Sequence, residues 1–154
     1  MVKKIAHITD LHLDEKFPFK DKKSARERFD KVLTRIKEKG INHIVCTGDI
    51  GVSELVPYFF EQVQQMNLSV VLGNHDSYSS ISKYFNFGVN CSSKKSYGKE
   101  LENHFKIIYL DSSAGIIDQS QLKWLNKELI STNPIIIFIH HPIIKLELKV
   151  DEIG

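Results

Sequence analysis

The sequence predicts an α/β domain, because short apolar segments of β type alternate along the chain with segments of helical periodicity. The first two apolar segments, 5–9 and 43–47, are separated by a stretch with the apolar spacing of an amphipathic helix. The apolar segments are nearly continuous, which is typical of strands buried on both faces of a parallel sheet. We therefore expect a largely parallel sheet with helices outside it.

Local signals predict the bounds of each element. Phe29, Leu33 and Ile36 recur at helical spacing. They predict a helix that begins at Ser24 and ends at Gly40. The other predicted elements are, in chain order, strands at 5–9 and 43–47, a helix at 54–66, a strand at 68–72, a short helix at 81–85 followed by a loop or hairpin, a strand at 105–110, a helix at 119–130, a strand at 135–139 and a partial strand at 146–150.

The composition describes one globular domain with little charge bias. The chain has 154 residues, of which 42% are hydrophobic and 26% charged, and its net charge is +2. This charge is too small to indicate a nucleic-acid or membrane-surface binder. Cys46 and Cys91 lack the spacing of a zinc site or a disulfide framework. With no signal peptide and no long apolar segment, we expect a cytoplasmic protein without a membrane partner, and the oligomeric state stays open.

Side chains that can bind metal follow four of the five complete strands that the sequence predicts. These segments are Asp10-Leu11-His12, Gly48-Asp49, Gly73-Asn74-His75-Asp76 and His140-His141. Each segment alone is typical of an ordinary turn, because Asp, Asn and Gly are common in turns. In open α/β sheets, however, ligands bind beyond the carboxyl ends of the strands, so we expect the four segments to meet there. A mixture of carboxylates, an amide and imidazoles favours manganese, iron or zinc over calcium or magnesium.

In their order, these motifs resemble those of the calcineurin-like metallophosphoesterases. That family has an Asp-x-His, a Gly-Asp, a Gly-Asn-His followed by Asp or Glu, and a lone His after a strand. The segments 110–113 and 121–125, with His140-His141-Pro142, are most similar to the branch that contains the class III cyclic nucleotide phosphodiesterases. The resemblance implies a layered β-sandwich flanked by helices, in the order αββα.

The resemblance also implies a site for two divalent metal ions, which would be manganese, iron or zinc. Asp10 and His12 would bind the first ion. Asn74 and His140 would bind the second ion, and Asp49 would bridge the two. Two divalent ions would outweigh the two carboxylates, so the site would attract a phosphate ester.

The same resemblance implies the catalytic groups of a hydrolase. His75 would face the phosphate and stabilise the transition state or protonate the leaving group, and Asp76 would orient His75. The implied reaction is attack of a metal-bound hydroxide on the phosphorus of a phosphate mono- or diester. His141 is a candidate for supporting the site or contacting the substrate. Asp111, which follows the strand at 105–110, is interpreted as a cap or a supporting group.

One family motif, Gly-His-x-His, does not follow Pro142. We therefore expect a single metallophosphoesterase domain over 1–154 that is truncated at its C-terminus and has little activity at this length. One alternative is a catalytically weak or inactive scaffold that binds proteins. A second alternative is a nuclease, which the weak net charge does not favour. The expected substrate is a small phosphate ester, with a nucleotide as one candidate.

Overall fold

The structure, a computed structural model, describes residues 4–17, 19–87, 96–102 and 104–143. The strands in these ranges are β1 (Ile5–Ile8), β2 (His43–Cys46), β3 (Asn67–Val70), β4 (Gly98–Leu101), β5 (Lys106–Leu110) and β6 (Ile135–Ile139). The helices are α1 (Ala25–Glu38), α2 (Val56–Val63), α3 (Tyr78–Ile81) and α4 (Gln119–Glu128), and a short 3-10 turn at Ser53–Leu55 leads into α2.

The strands form two three-stranded sheets instead of the largely parallel single sheet that their apolar character predicted. In the first sheet β1, β2 and β3 are parallel and lie in that order. In the second sheet the order is β4, β5, β6; β5 and β6 are parallel, whereas β4 is antiparallel to β5. The antiparallel pair arises because a short connection reverses the chain between Leu101 and Lys106, which leaves no room for a crossover helix.

Alternating side chains divide the molecule into four layers. On β2, Ile44 and Cys46 pack against the layer that contains α1 and α2, whereas Val45 faces the second sheet. On β5, Ile107 faces the first sheet and Ile108 packs toward α4. Because neighbouring residues of a strand point to opposite faces, one strand can serve two cores. The layered αββα sandwich that the resemblance implied is confirmed.

The first helix has the signals that its sequence predicted. Ser24 is the N-cap, and it forms a reciprocal capping box with Glu27. The predicted apolar face, formed by Phe29, Leu33 and Ile36, is buried against the first sheet.

Two predicted helices differ from the observed ones, and one strand was missed. The second helix is shorter than 54–66, because its first residues form the 3-10 turn and it ends at Val63. The short helix predicted at 81–85 lies at Tyr78–Ile81. Strand β4 was not predicted, because its sequence, Gly-Lys-Glu-Leu, has no apolar run and the strand is only half-buried. The partial strand predicted at 146–150 lies outside the described residues.

No helix of the described part of the chain is long and apolar enough to cross a membrane.

A buried lysine ties the second sheet to α4. The Lys106 ammonium group donates to the backbone carbonyl of Glu128 at 2.7 Å and lies 3.3 Å from its carboxylate. Lys99, on β4, donates to both carboxylate oxygens of Glu128 at 2.8 Å. The hydrogen bond from Lys99, with that from Lys106, holds the pKa of Glu128 below its usual value.

Removing the charge of Glu128 should flatten the acid dependence of stability. The pKa of Glu128 is lower in the folded chain than in the unfolded chain. Its carboxylate therefore stabilises the fold above the unfolded value of 4.5, and this contribution is lost as the pH falls through the lower, folded value. In urea titrations, Glu128→Gln should be less stable than the wild type at neutral pH and lose less stability on acidification.

The matched control for that titration is Glu38→Gln, because Glu38 forms an exposed pair with Arg35 on α1. This variant should keep the pH dependence of the wild type. If the stability of Glu128→Gln fell with acid as steeply as that of the wild type, the carboxylate would not be the group that titrates.

Truncating a side chain between the two sheets should destabilise the whole sandwich. Ile107 is fully buried. Ile107→Ala is expected to lower the free energy of unfolding by about 2–5 kcal/mol, because it leaves a cavity between the sheets. Ile130→Ala is the control, since Ile130 is 84% exposed, and it should change stability by less than about 0.5 kcal/mol. Equal urea midpoints for the two variants would contradict the layer assignment.

Candidate metal centre

The loops after β1 and β2 are joined by backbone hydrogen bonds that continue beyond the strands. The Asp10 N–H donates to the Gly48 carbonyl at 3.1 Å, and the His12 N–H donates to the Asp49 carbonyl at 3.0 Å. These bonds place the Asp-x-His and Gly-Asp motifs side by side at the carboxyl edge of the first sheet. The edge is therefore held by the backbone, independently of any ligand.

Three of the predicted ligand residues have a left-handed backbone conformation. The φ angles are 52° at Asp10, 40° at His12 and 54° at Asp49. This conformation is uncommon for residues other than glycine, and such strain concentrates at functional sites. Its effect here is to turn both loops back on themselves, so that their side chains converge.

The side chains of these residues meet around the carboxylate of Asp49. One ligand atom from each of Asp10, His12 and Asp49 lies within 4.8 Å of the others. The Asp49 side chain is only 4% exposed, and its Oδ2 atom lies 3.7 Å from His12 Nε2 and 3.6 Å from His140 Nε2. Asp49 thus lies between two imidazoles that come from different sheets.

His140, which follows β6, is held in one tautomer. Its Nδ1 lies 2.8 Å from the backbone carbonyl of Thr47, so Nδ1 carries the proton and donates it. Its Nε2 lies 3.1 Å from Asn74 Oδ1. An imidazole nitrogen and an amide oxygen that lie this close can contact the same cation. Asn74 and His140 thus lie together, as the prediction that they share an ion requires.

The donor set fits divalent metal ions. It combines two carboxylates, an amide oxygen and imidazole nitrogens, and a buried carboxylate such as Asp49 needs a counter-charge. Among the residues that the structure describes, no lysine or arginine forms an ion pair with Asp10 or Asp49. The arrangement suits one ion beside His12 and a second beside His140. The role of each residue as a ligand stays a prediction.

The Asp76 carboxylate is engaged with backbone groups and does not bind the His75 ring. It accepts hydrogen bonds from the N–H groups of Asp49 and Gly73, both at 2.8 Å, and of Ile50 at 3.0 Å. Burial raises the pKa of Asp76, and these three bonds oppose the shift. Asp76 folds back because the turn leaves N–H groups without sheet partners. The expected orientation of His75 by Asp76 stays a prediction.

His75 lies at the open rim of the site. Its backbone N–H donates to Asp49 Oδ1 at 3.0 Å, and its exposed imidazole lies beside that of His12, with 5.7 Å between the ring centroids. The ring is therefore accessible to a molecule that approaches the metal donors from solvent. Its catalytic role stays a prediction, as does that of Asp76.

Two glycines allow the second and third loops to touch. A Cβ atom on Gly73 would overlap Oδ1 and the backbone nitrogen of Asp49, and a Cβ on Gly48 would overlap the backbone of Gly73. Gly48 also has a φ of 99°, which side chains rarely allow. Asp49 can occupy the centre only because neither position carries a side chain.

His141 and Asp111 lie behind the centre and support it. The Nδ1 atom of His141 donates to the Ser112 carbonyl at 2.9 Å, and its ring packs on His140 with 4.7 Å between centroids. Asp111 is buried and accepts hydrogen bonds from two serine N–H groups. The Gln121 side-chain amide accepts a hydrogen bond from the Asp111 N–H and donates one to the Asp111 carbonyl. Asp111 thus caps its loop, as the sequence indicated.

Sequence reasoning missed two residues that hold the predicted ligands. The Thr47 carbonyl positions His140, which is 93 residues away. The Thr9 hydroxyl donates to Asp10 Oδ2 at 2.6 Å. No sequence signal could have found the first contact, because a backbone carbonyl is present whatever the residue. A threonine next to a predicted ligand could have suggested the second.

Two packed sheets with carboxylates and imidazoles at their carboxyl edge define a class of protein, the metallophosphoesterase fold. The family model of the calcineurin-like phosphoesterases matches residues 3–151. The chain therefore belongs to this family, whose members are phosphoester hydrolases. The resemblance identified from the motifs is confirmed.

Comparisons with individual proteins agree with that assignment. The chain is 25% identical to a probable cyclic nucleotide phosphodiesterase from Fibrobacter succinogenes, over 92% of this chain and 57% of the relative. The chain therefore spans a little over half the length of this relative. It is also similar in fold to a dimetal phosphatase from Danio rerio, with a TM-score of 0.69 and 12% identity over 91% of this chain and 70% of the other.

Adding a methyl group at Gly73 should displace Asp49 and weaken metal binding. We expect Gly73→Ala to bind Mn²⁺ at least about tenfold more weakly than the wild type, the loss typical of a disturbed ligand support. Isothermal titration calorimetry measures the affinity. Gly98→Ala is the matched control, since a Cβ at Gly98 meets nothing within 4 Å. Unchanged Mn²⁺ affinity in Gly73→Ala would contradict the central position of Asp49.

Proposed function

We propose that this protein is a metal-dependent phosphoesterase that hydrolyses phosphate mono- or diesters with two divalent ions. The observation that carries the proposal is the position of Asp49, a buried carboxylate flanked at 3.7 and 3.6 Å by His12 and His140. Family membership supports the class of reaction. The position of Asp49 supports the location of the site and its dinuclear character.

In this proposal Asp10 and His12 would hold one ion, Asn74 and His140 would hold the other, and Asp49 would contribute to both. Manganese, iron and zinc suit this mixture of oxygen and nitrogen donors. When bound, such ions would polarise the phosphate oxygens and lower the pKa of water, which provides a nucleophile at neutral pH.

The chain's own groups prepare the ligands for this role. The Thr47 carbonyl accepts a hydrogen bond from His140 Nδ1, which orients the ring and directs Nε2 toward Asn74 and Asp49. The Thr9 hydroxyl restrains the carboxylate of Asp10 by a hydrogen bond. Asp76 is a positioning residue, because it acts through the backbone of the turns that carry Asp49 and Gly73.

His75 is the proposed catalytic residue that contacts the substrate. Its imidazole is exposed at the rim beside His12, so it can donate a hydrogen bond to a phosphate oxygen. The same group can pass a proton to the leaving oxygen as the ester bond breaks. Both steps require an accessible ring, and the hydrogen bond from the His75 backbone N–H to Asp49 fixes the position of the backbone from which the ring extends.

A nucleotide phosphodiester is the first substrate class to assay. The relative from Fibrobacter succinogenes is described as a probable cyclic nucleotide phosphodiesterase, which supports this choice for a chain 25% identical to it. The net charge of +2 gives no support to nucleic acid as the substrate.

Replacing Asp49 should abolish hydrolysis. With Mn²⁺ present, Asp49→Ala is expected to hydrolyse bis(p-nitrophenyl) phosphate no faster than the buffer, because both ions lose a shared ligand. Equilibrium dialysis should find about two Mn²⁺ ions on the wild type and fewer on the variant. The control is Asp30→Ala, which removes an exposed carboxylate of α1 that bonds Tyr58.

The control variant should keep both the hydrolysis rate and the metal content of the wild type. Turnover by Asp49→Ala at the rate of the wild type would contradict the proposed site. A wild-type chain that binds no Mn²⁺ would contradict the metal-dependent mechanism and favour a scaffold.

A further inference from the structure

A cleft opens beside the metal centre, between the 10–15 segment and α1. We call it the Phe19 cleft, and its volume is about 220 Å³. Its walls include Leu11, Phe19, Ala25, Arg28, Phe29 and Val32. Two of the proposed metal ligands, Asp10 and His12, also line it. A molecule bound at the metal centre can therefore extend into this cleft without leaving the protein surface.

The size and lining of the cleft suit one part of a substrate. Pockets that enclose whole drug-sized ligands have volumes of about 300–1,000 Å³, so a cleft of 220 Å³ holds a single ring system. Its walls are mainly apolar, and among the residues that line it the only positively charged side chain is Arg28. This lining favours a planar organic group whose charged phosphate remains outside, at the metal donors.

An exposed aromatic side chain, Phe19, lines the cleft. The residue is 62% exposed, although burial of an aromatic side chain is favourable. The Arg28 guanidinium lies over one face of the ring at 4.3 Å from its centroid and forms an ion pair with Asp21. One face of the ring thus contacts a cation, and the residue as a whole is largely exposed to a ligand.

Arg28 has hydrogen-bonding capacity that the protein does not use. Its Nε–H is buried and has no hydrogen-bond partner. Within the described ranges, it is the only buried side-chain polar atom without one. Leaving such a donor unsatisfied is costly. A ligand acceptor that reached this N–H would offset the cost. A nucleobase offers both a π-face for Phe19 and ring acceptors for Arg28.

We propose that the Phe19 cleft binds the nucleobase of a nucleotide ester whose phosphate lies at the centre formed by Asp10, His12 and Asp49. The placement of the phosphate rests on the proposed function. The placement of the base rests on the cleft, on the exposed Phe19 side chain and on the cation that contacts its ring. Stacking on a single ring tolerates all bases, so the cleft selects nucleotides as a class.

The test compares a nucleotide with the same phosphate lacking its base. Equilibrium dialysis of the Mn²⁺-loaded chain measures the dissociation constants of adenosine 5′-monophosphate and ribose 5-phosphate. The nucleotide should bind at least roughly fivefold more tightly, the minimum expected for a base stacked on one aromatic ring. In Phe19→Ala this ratio should fall to about one, and in Phe19→Trp it should be kept or increased.

Phe17→Ala is the matched control, because Phe17 lies on the same segment, is 67% exposed and does not line the cleft. It should keep the ratio of the wild type. Equal binding of the two phosphates by the wild type would overturn the proposal, as would an unchanged ratio in Phe19→Ala. If ester hydrolysis were absent while the ratio held, only the proposed function would fail. If the protein hydrolysed the ester but bound both phosphates equally, the nucleobase site would be contradicted and the proposed function would stand.

Discussion

The contact between Gly73 and Asp49 is the constraint on which the rest of the site depends. The two backbones approach so closely that a single methyl group on Gly73 would overlap the Asp49 carboxylate. This approach brings the loop after β3 against the loop after β2. Asp76 then closes the contact by accepting hydrogen bonds from both loops. The central carboxylate is therefore positioned by backbone packing, which is more rigid than a contact between long side chains.

The strain at this edge is compensated by the packed layers beneath it. Left-handed conformations at Asp10, His12 and Asp49 cost of order 1–3 kcal/mol each. Such conformations persist only where the surroundings determine them. Here the determinants are the backbone bonds between the two loops and the buried strands that precede them. A stable sandwich core thus allows an edge in which carboxylates and imidazoles converge at an energetic cost.

The second sheet contributes a predicted ligand that the first sheet cannot supply. His140 follows β6 and is anchored on the Thr47 carbonyl beside the first sheet. Its imidazole lies 3.6 Å from the Asp49 oxygen that His12 also approaches. The relative position of the two sheets therefore sets the distance between the ligands. The apolar layer between the sheets, which contains Val45 and Ile107, is consequently part of what defines the metal centre.

The sequence alone determined the alternation of strands and helices and the position of each polar motif at a strand end. These features depend on local periodicity and on a parallel topology that brings strand ends to one edge, so a single chain reveals them. Strand β4 was not predictable, because pairing with β5 stabilises a segment that has no apolar pattern of its own.

The tertiary structure alone decided how the motifs act on one another. It separated the strands into two sheets, assigned Asp76 to backbone N–H groups, and paired His140 with Thr47. It also created the Phe19 cleft from a loop and a helix face. The physical reason is common to all four. Hydrogen bonds and packing between residues distant in sequence depend on angles and on differences in distance of less than an ångström. The residue types alone do not specify these quantities.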